Sequence, residues 1–78
     1  SMKINWQLKK RIAEICGSQA DFSKIAEVPE ATISKVIRGR QGVSLSEQRR
    51  WAVLLRCETE EIFCAVEQKI PIREIFGD

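Results

Sequence analysis

Apolar side chains recur along this chain at steps of three and four residues, the spacing of a buried helical stripe, and no stretch alternates as a half-buried strand would. Leu8, Ile12 and Ile15 form the first stripe. Asn5 ahead of it is a competent N-cap, so a helix is predicted from Trp6 to Cys16. Gly17 is its natural stop, because glycine takes the left-handed conformation past a helix end without a steric cost. Ser18 restarts the chain with Asp21 three residues on, a short capping box for a second helix from Gln19 to about Ala26 that buries Phe22 and Ala26. Pro29 biases Val28 away from helix and marks the next break. A third helix is predicted from Glu30 to Arg38, with Ile33, Val36 and Ile37 inward and Gly39 as its stop.

Residues 40–43 read as a polar loop. Ser44 with Glu47 is a capping-box pattern opening a fourth helix that ends near Cys57. Its contribution to the core is read as Leu45, Trp51, Ala52, Val53, Leu54 and Leu55. Thr59 is the predicted cap of a fifth helix, whose first turn holds Glu60 and Glu61 where the dipole favours anions. Ile62, Phe63, Ala65 and Val66 give that helix its apolar face, and Pro71 ends it. Residues 70–76 read either as a last helical turn or as an extended arm. The fold class is therefore all-α, five helices in one domain over residues 1–78, a length well below that at which chains divide.

Composition narrows what such a domain can do. With no His among 78 residues, imidazole catalysis and His-ligated zinc drop out together. No apolar run approaches the ~18 residues of a membrane span. No signal-peptide pattern is read, and Ser1-Met2 reads as a cloning remnant ahead of a native start. Cys16, Cys57 and Cys64 are an odd set without C-x-x-C spacing, so they read as small buried thiols in a reducing compartment, not as a disulfide framework or zinc site. No nucleophile–base pair and no phosphate-cradling glycine loop is present, and the chain is not read as an enzyme. No cofactor and no small-molecule substrate are expected.

Charge is unevenly distributed. Residues 1–50 carry ten basic and five acidic side chains, whereas residues 51–78 carry three basic and six acidic. Lys35, Arg38, Arg40, Arg49 and Arg50 fall within residues 35–50 against Glu47 alone. A locally basic face on a nearly neutral domain suits a polyanion, and a solvated charged face is the plain alternative. The second and third helices add a geometric signal. Counting from Gln19, a small residue (Ser23) stands at the fifth position, and Val28, Ile33 and Val36 stand at the tenth, fifteenth and eighteenth. That is the pattern of two short helices crossing closely, as in a helix-turn-helix whose second helix enters the major groove.

The runs Gln19-Ala20-Asp21-Phe22-Ser23 and Val28-Pro29-Glu30-Ala31-Thr32-Ile33-Ser34-Lys35-Val36-Ile37-Arg38-Gly39-Arg40 resemble the Cro/repressor (XRE-type, lambda-repressor-like) DNA-binding domains of phages and bacteria, and Leu45 to Phe63 is similar to that family's fourth and fifth helices. The resemblance covers roughly residues 5–65, with the helix-turn-helix at about 19–38. Two positions depart from the family pattern. Glu27 stands where the turn usually has Gly, so its backbone is expected to be either not left-handed or mildly strained. Pro29 stands where Ser or Thr would cap the recognition helix.

The resemblance implies roles for single residues. Gln19 at the head of the second helix would bond a phosphate, helped by the dipole. Glu30, Ala31, Ser34, Lys35 and Arg38 would project opposite Ile33 and Val36. Lys35 is the leading base reader, toward the O6 and N7 acceptors of guanine; Glu30 would accept from a cytosine amino group or exclude wrong sequences, and Ala31 would meet a thymine methyl. Ser34 would bond a base or a phosphate, and Thr32 a phosphate. Arg38 and Arg40, with Gln41, would clamp the backbone, which positions without specifying. Arg49 and Arg50 are divided evenly between phosphates and acids on the same surface.

One recognition helix reads only a few base pairs, so a homodimer on a two-fold operator is expected. Trp51, Phe63, Ile70, Ile72, Ile75 and Phe76 exceed what so small a core must bury, and residues 70–78 read either as a dimerisation arm or as a tail folded over the fifth helix. The implied function is a sequence-specific regulator, most like a phage Cro-type repressor, in a bacterial cytoplasm or phage-infected host. An antitoxin binding operator and toxin, and a protein-interaction module on the same fold, are the alternatives.

Overall fold

Helix starts follow the capping residues. Asn5, Ser18 and Ser44 each accept, through a side-chain oxygen, the backbone N–H three residues ahead, at 3.0, 3.1 and 3.2 Å. The computed structural model describes residues 4–63. These form α1 (Trp6–Ile15), α2 (Gln19–Ala26), α3 (Glu30–Ile37), α4 (Leu45–Leu54) and α5 (Thr59–Ile62), with no strand among the described residues. None of these helices is long and apolar enough to cross a membrane. Two starts lack the usual cap. Pro29 offers no side-chain oxygen to α3, whose Thr32 and Ile33 N–H groups turn to the Pro29 carbonyl at 3.0 and 3.2 Å. At α5 the cap is Glu58 and not Thr59, with the Glu58 N–H donating to the Glu61 carboxylate at 3.0 Å.

The core is assembled from one stripe per helix: Leu8 and Ile12, Phe22 and Ala26, Ile33, Val36 and Ile37, Trp51, Ala52 and Leu55, and Ile62. No polar or charged side chain is buried among the described residues. Trp51 is its centre, with the Phe22 ring edge-on at 5.3 Å between centroids and the Phe63 ring tilted at 6.0 Å.

Three predicted core positions are exposed instead: Val53 at 75%, Leu45 at 58% and Ile15 at 38%. Five consecutive apolar residues from 51 to 55 cannot all face one side of a helix. Trp51, Ala52 and Leu55 share the inward arc, Leu54 is half-buried, and Val53 falls on the opposite one. Leu45 is the first residue of α4 and Ile15 the last of α1.

Asn5 does more than cap. Its N–H donates to the Ile37 carbonyl at 2.7 Å, and its Nδ2 donates to the Ile62 carbonyl, also at 2.7 Å. One residue thus ties the start of α1 to the end of α3 through its backbone N–H and to the end of α5 through its side chain. α4 is shorter than its pattern predicts, ending at Leu54 because Arg56 is left-handed at φ 58°. α5 ends at Ile62, with Phe63 extended. Ala65, Val66 and the 70–78 tail lie outside the described residues.

Candidate nucleic-acid interface

The α2–α3 pair is held by Ser23. The Ser23 carbonyl accepts the Val28 N–H at 3.1 Å, and its hydroxyl donates to the Val28 carbonyl at 2.6 Å. The small residue predicted for close approach therefore also pins the turn at both polar groups of Val28. Glu27 is left-handed (φ 59°, ψ 43°), which corrects the expectation of an ordinary backbone and leaves the strained alternative. Arg50 on α4 compensates from outside, one guanidinium nitrogen donating to the Ala26 carbonyl at 2.8 Å.

With Ile33, Val36 and Ile37 buried, α3 turns Glu30, Ala31 and Lys35 to solvent, with Arg38 at its C-cap, while Thr32 and Ser34 are half-buried. The Lys35 and Arg38 side chains enter no hydrogen bond or ion pair among the described residues. The Ser34 hydroxyl donates to Gln19 Oε1 at 3.4 Å, so two predicted contact residues meet across the helix pair and the Gln19 amide nitrogen stays available as a donor. Thr32 and Gln41 are brought to a second place, an open cleft between α3 and the start of α4 that Val36, Val43, Glu47 and Trp51 also line. Arg40 is exposed, its backbone N–H closing α3 on the Lys35 carbonyl at 2.8 Å.

The fourth helix separates the two arginines that its sequence leaves equivalent. Arg50 is taken up by Glu47, at 2.6 and 3.0 Å, and by Ala26; Arg49 is exposed and unpaired among the described residues. The Arg50 guanidinium and the Trp51 indole N–H, at 3.2 Å, hold the Glu47 carboxyl below the usual carboxylate range.

Sequence reasoning missed Arg11. Its Nε donates to the Leu55 carbonyl at 2.8 Å and another guanidinium nitrogen to the Arg56 carbonyl at 2.6 Å, with Glu14 beside it at 3.6 Å. No local signal marks this, since the partners lie more than forty residues away.

Cys16 and Cys57 are half-buried free thiols against the core, and burial raises both pKa values, keeping them protonated. Cys64 lies outside the described residues. No three His, Cys, Asp or Glu side chains gather to hold a metal among the described residues. What the arrangement offers is a ridge of exposed polar side chains with two uncommitted cations, on a helix held at both ends. No protein-family model, curated protein or solved structure matches this chain.

Proposed function

We propose that the chain is a sequence-specific double-stranded DNA-binding regulator of the Cro/repressor type, with α2, residues 27–29 and α3 acting as its helix-turn-helix. The observation that carries the reading is α3 itself. One side is buried to the last apolar residue, and the other presents Glu30, Ala31, Lys35 and Arg38 with both cations unpaired. Lys35 reads guanine, while Glu30, Ala31 and Ser34 tune the neighbouring base contacts. Gln19, Thr32, Arg38, Arg40 and Gln41 position the backbone. So short a helix covers few base pairs, and a homodimer on a two-fold operator supplies the remaining specificity. The domain represses by occluding promoter DNA and carries out no catalysis.

Selection from a random duplex library at two salt concentrations tests this. A two-fold symmetric site is expected. Lys35→Ala loses ~1–3 kcal/mol at that site, and Arg38→Ala lowers the salt slope by about one unit. An unchanged ratio of preferred to scrambled duplex in Lys35→Ala removes the base-reading role.

The exposed Leu45 and Val53 on α4 favour a second reading, in which the domain docks a protein partner such as a toxin, with or without DNA. Absence of any enriched duplex at low salt selects the form without DNA.

A further inference from the structure

We propose that the start of α1 extends the nucleic-acid surface of α3, with Trp6 packing on the sugar–phosphate backbone of duplex DNA and Lys9 and Lys10 meeting its phosphates. The inference rests on the helix-turn-helix reading and adds to it a contact outside that motif. Trp6 is 61% exposed, the largest apolar side chain left in water among the described residues. It is the first residue of α1, and Lys9 and Lys10, three and four residues on, share its side of the helix and are exposed. The Lys9 ammonium stands 5.3 Å from the indole centroid, which holds a cation beside the aromatic face. Neither lysine pairs with a carboxylate among the described residues, and the one acid of α1, Glu14, stands beside Arg11 at 3.6 Å.

The place of this patch in the fold selects its occupant. The Asn5 N–H donates at 2.7 Å to the carbonyl of Ile37, the last residue of α3. Trp6 and Arg38 are the next residues along those two segments, and both are exposed. The aromatic and basic surface of α1 therefore begins where the ridge of Glu30, Ala31, Lys35 and Arg38 ends. A DNA strand alternates phosphates with the apolar faces of deoxyribose, so an indole flanked by two ammonium groups matches it on both counts. A second copy of the chain is a poorer fit, because two such patches face to face bring four lysines together.

Backbone contacts carry no sequence information, so a random-sequence duplex of about 24 base pairs at low salt is a sufficient probe for the full chain. The Trp6 indole N–H resonance, identified by its loss in Trp6→Phe, is expected to shift as the duplex saturates the protein. Lys9→Ala with Lys10→Ala lowers the salt slope by about two units, and Lys9→Arg with Lys10→Arg restores it. Trp6→Ser weakens binding about fivefold at an unchanged slope. If Arg38→Ala lowers the slope by about one unit while the Trp6 resonance and the slope of the double alanine variant keep their parent values, the α1 contact is wrong and the helix-turn-helix reading stands. If the parent chain binds no duplex at low salt, that reading falls and this inference with it. A Trp6 resonance that moves with protein concentration in the absence of DNA overturns the proposal too, and assigns the patch to a second copy.

Discussion

Two helices, α1 and α3, are followed by a left-handed glycine, and two, α2 and α4, are followed by a left-handed Glu27 or Arg56. Three of these ends close alike. After α2, α3 and α4 the residue following the left-handed one returns its N–H to the carbonyl five back, Val28 to Ser23, Arg40 to Lys35 and Cys57 to Ala52, at 3.1, 2.8 and 3.0 Å. What differs is the outside support. Next to Glu27, the Ala26 carbonyl takes Arg50 of α4; at Arg56, the Leu55 and Arg56 carbonyls take Arg11 of α1. A glycine end carries no left-handed strain, although the Asn5 N–H also reaches the Ile37 carbonyl at the end of α3. A side chain in the same conformation costs ~1–2 kcal/mol, and here each such end is braced by an arginine from a distant helix.

Removing a brace is the largest perturbation of this contrast. Arg11→Ala leaves the Leu55 and Arg56 carbonyls without their charged donor, and one of those bonds is partly buried. Hydrogen bonds to charged groups contribute ~1.5–3 kcal/mol each when shielded, so a loss of about 2 kcal/mol in denaturant unfolding is expected. A change below about 0.5 kcal/mol would mean that the left-handed Arg56 stands without its brace.

Next comes an end that relies on glycine alone. Gly17 has φ 94°, and a Cβ there would lie 3.8 Å from the Asp21 carboxylate, an ordinary contact. The cost of Gly17→Ala is therefore conformational and not steric, about 1 kcal/mol. The converse change is smaller. Arg56→Gly relieves ~1–2 kcal/mol of left-handed strain against ~0.5–1 kcal/mol of added chain entropy, a gain of about 0.5 kcal/mol. Glu27→Gly gains less, because the Glu27 carboxylate also favours the Arg50 cation. Thermal unfolding of the two glycine variants side by side checks that ordering.

The same contrast explains what was legible in the sequence. Gly17 and Gly39 announce their helix ends, and Asn5, Ser18 and Ser44 announce the starts, because each acts on backbone within three or four residues. The sequence pattern carries α4 to near Cys57, because nothing near Arg56 signals a turn. Its conformation is held by Arg11, forty-five residues earlier. Glu27 in the sequence is compatible with an ordinary or a strained backbone for the same reason. The exposed ridge of α3 was readable, since Ile33, Val36 and Ile37 fix which side is inward. That Arg50 is committed while Arg49 is not was beyond reach, because the choice depends on where Ala26 lies. The Thr32–Gln41 cleft likewise exists only once α4 has folded back against α3.

The smallest effect sharpens the comparison at α2. Glu47 holds Arg50 in place for Ala26, and Arg50 with Trp51 depresses the Glu47 pKa in the folded protein. A depressed carboxylate pKa contributes stability that is complete above the unfolded value, near 4.3 for Glu, and is lost as pH falls through the folded value below it. The pair is partly exposed, its side chains 43% and 33% accessible, so solvent screening keeps the contribution small. Acidification through pH ~4 is therefore expected to loosen the α2 end before the core. Trp51 reports it, since its indole N–H donates to the same carboxylate. Gln at position 47 keeps a neutral acceptor near Arg50 and Trp51 but cannot titrate. Glu47→Gln should flatten the acid dependence of Trp51 emission while leaving the neutral-pH fold intact. If emission and stability of Glu47→Gln fall with pH as in the parent chain, the acid sensitivity belongs to other carboxylates and the brace at α2 does not depend on Glu47.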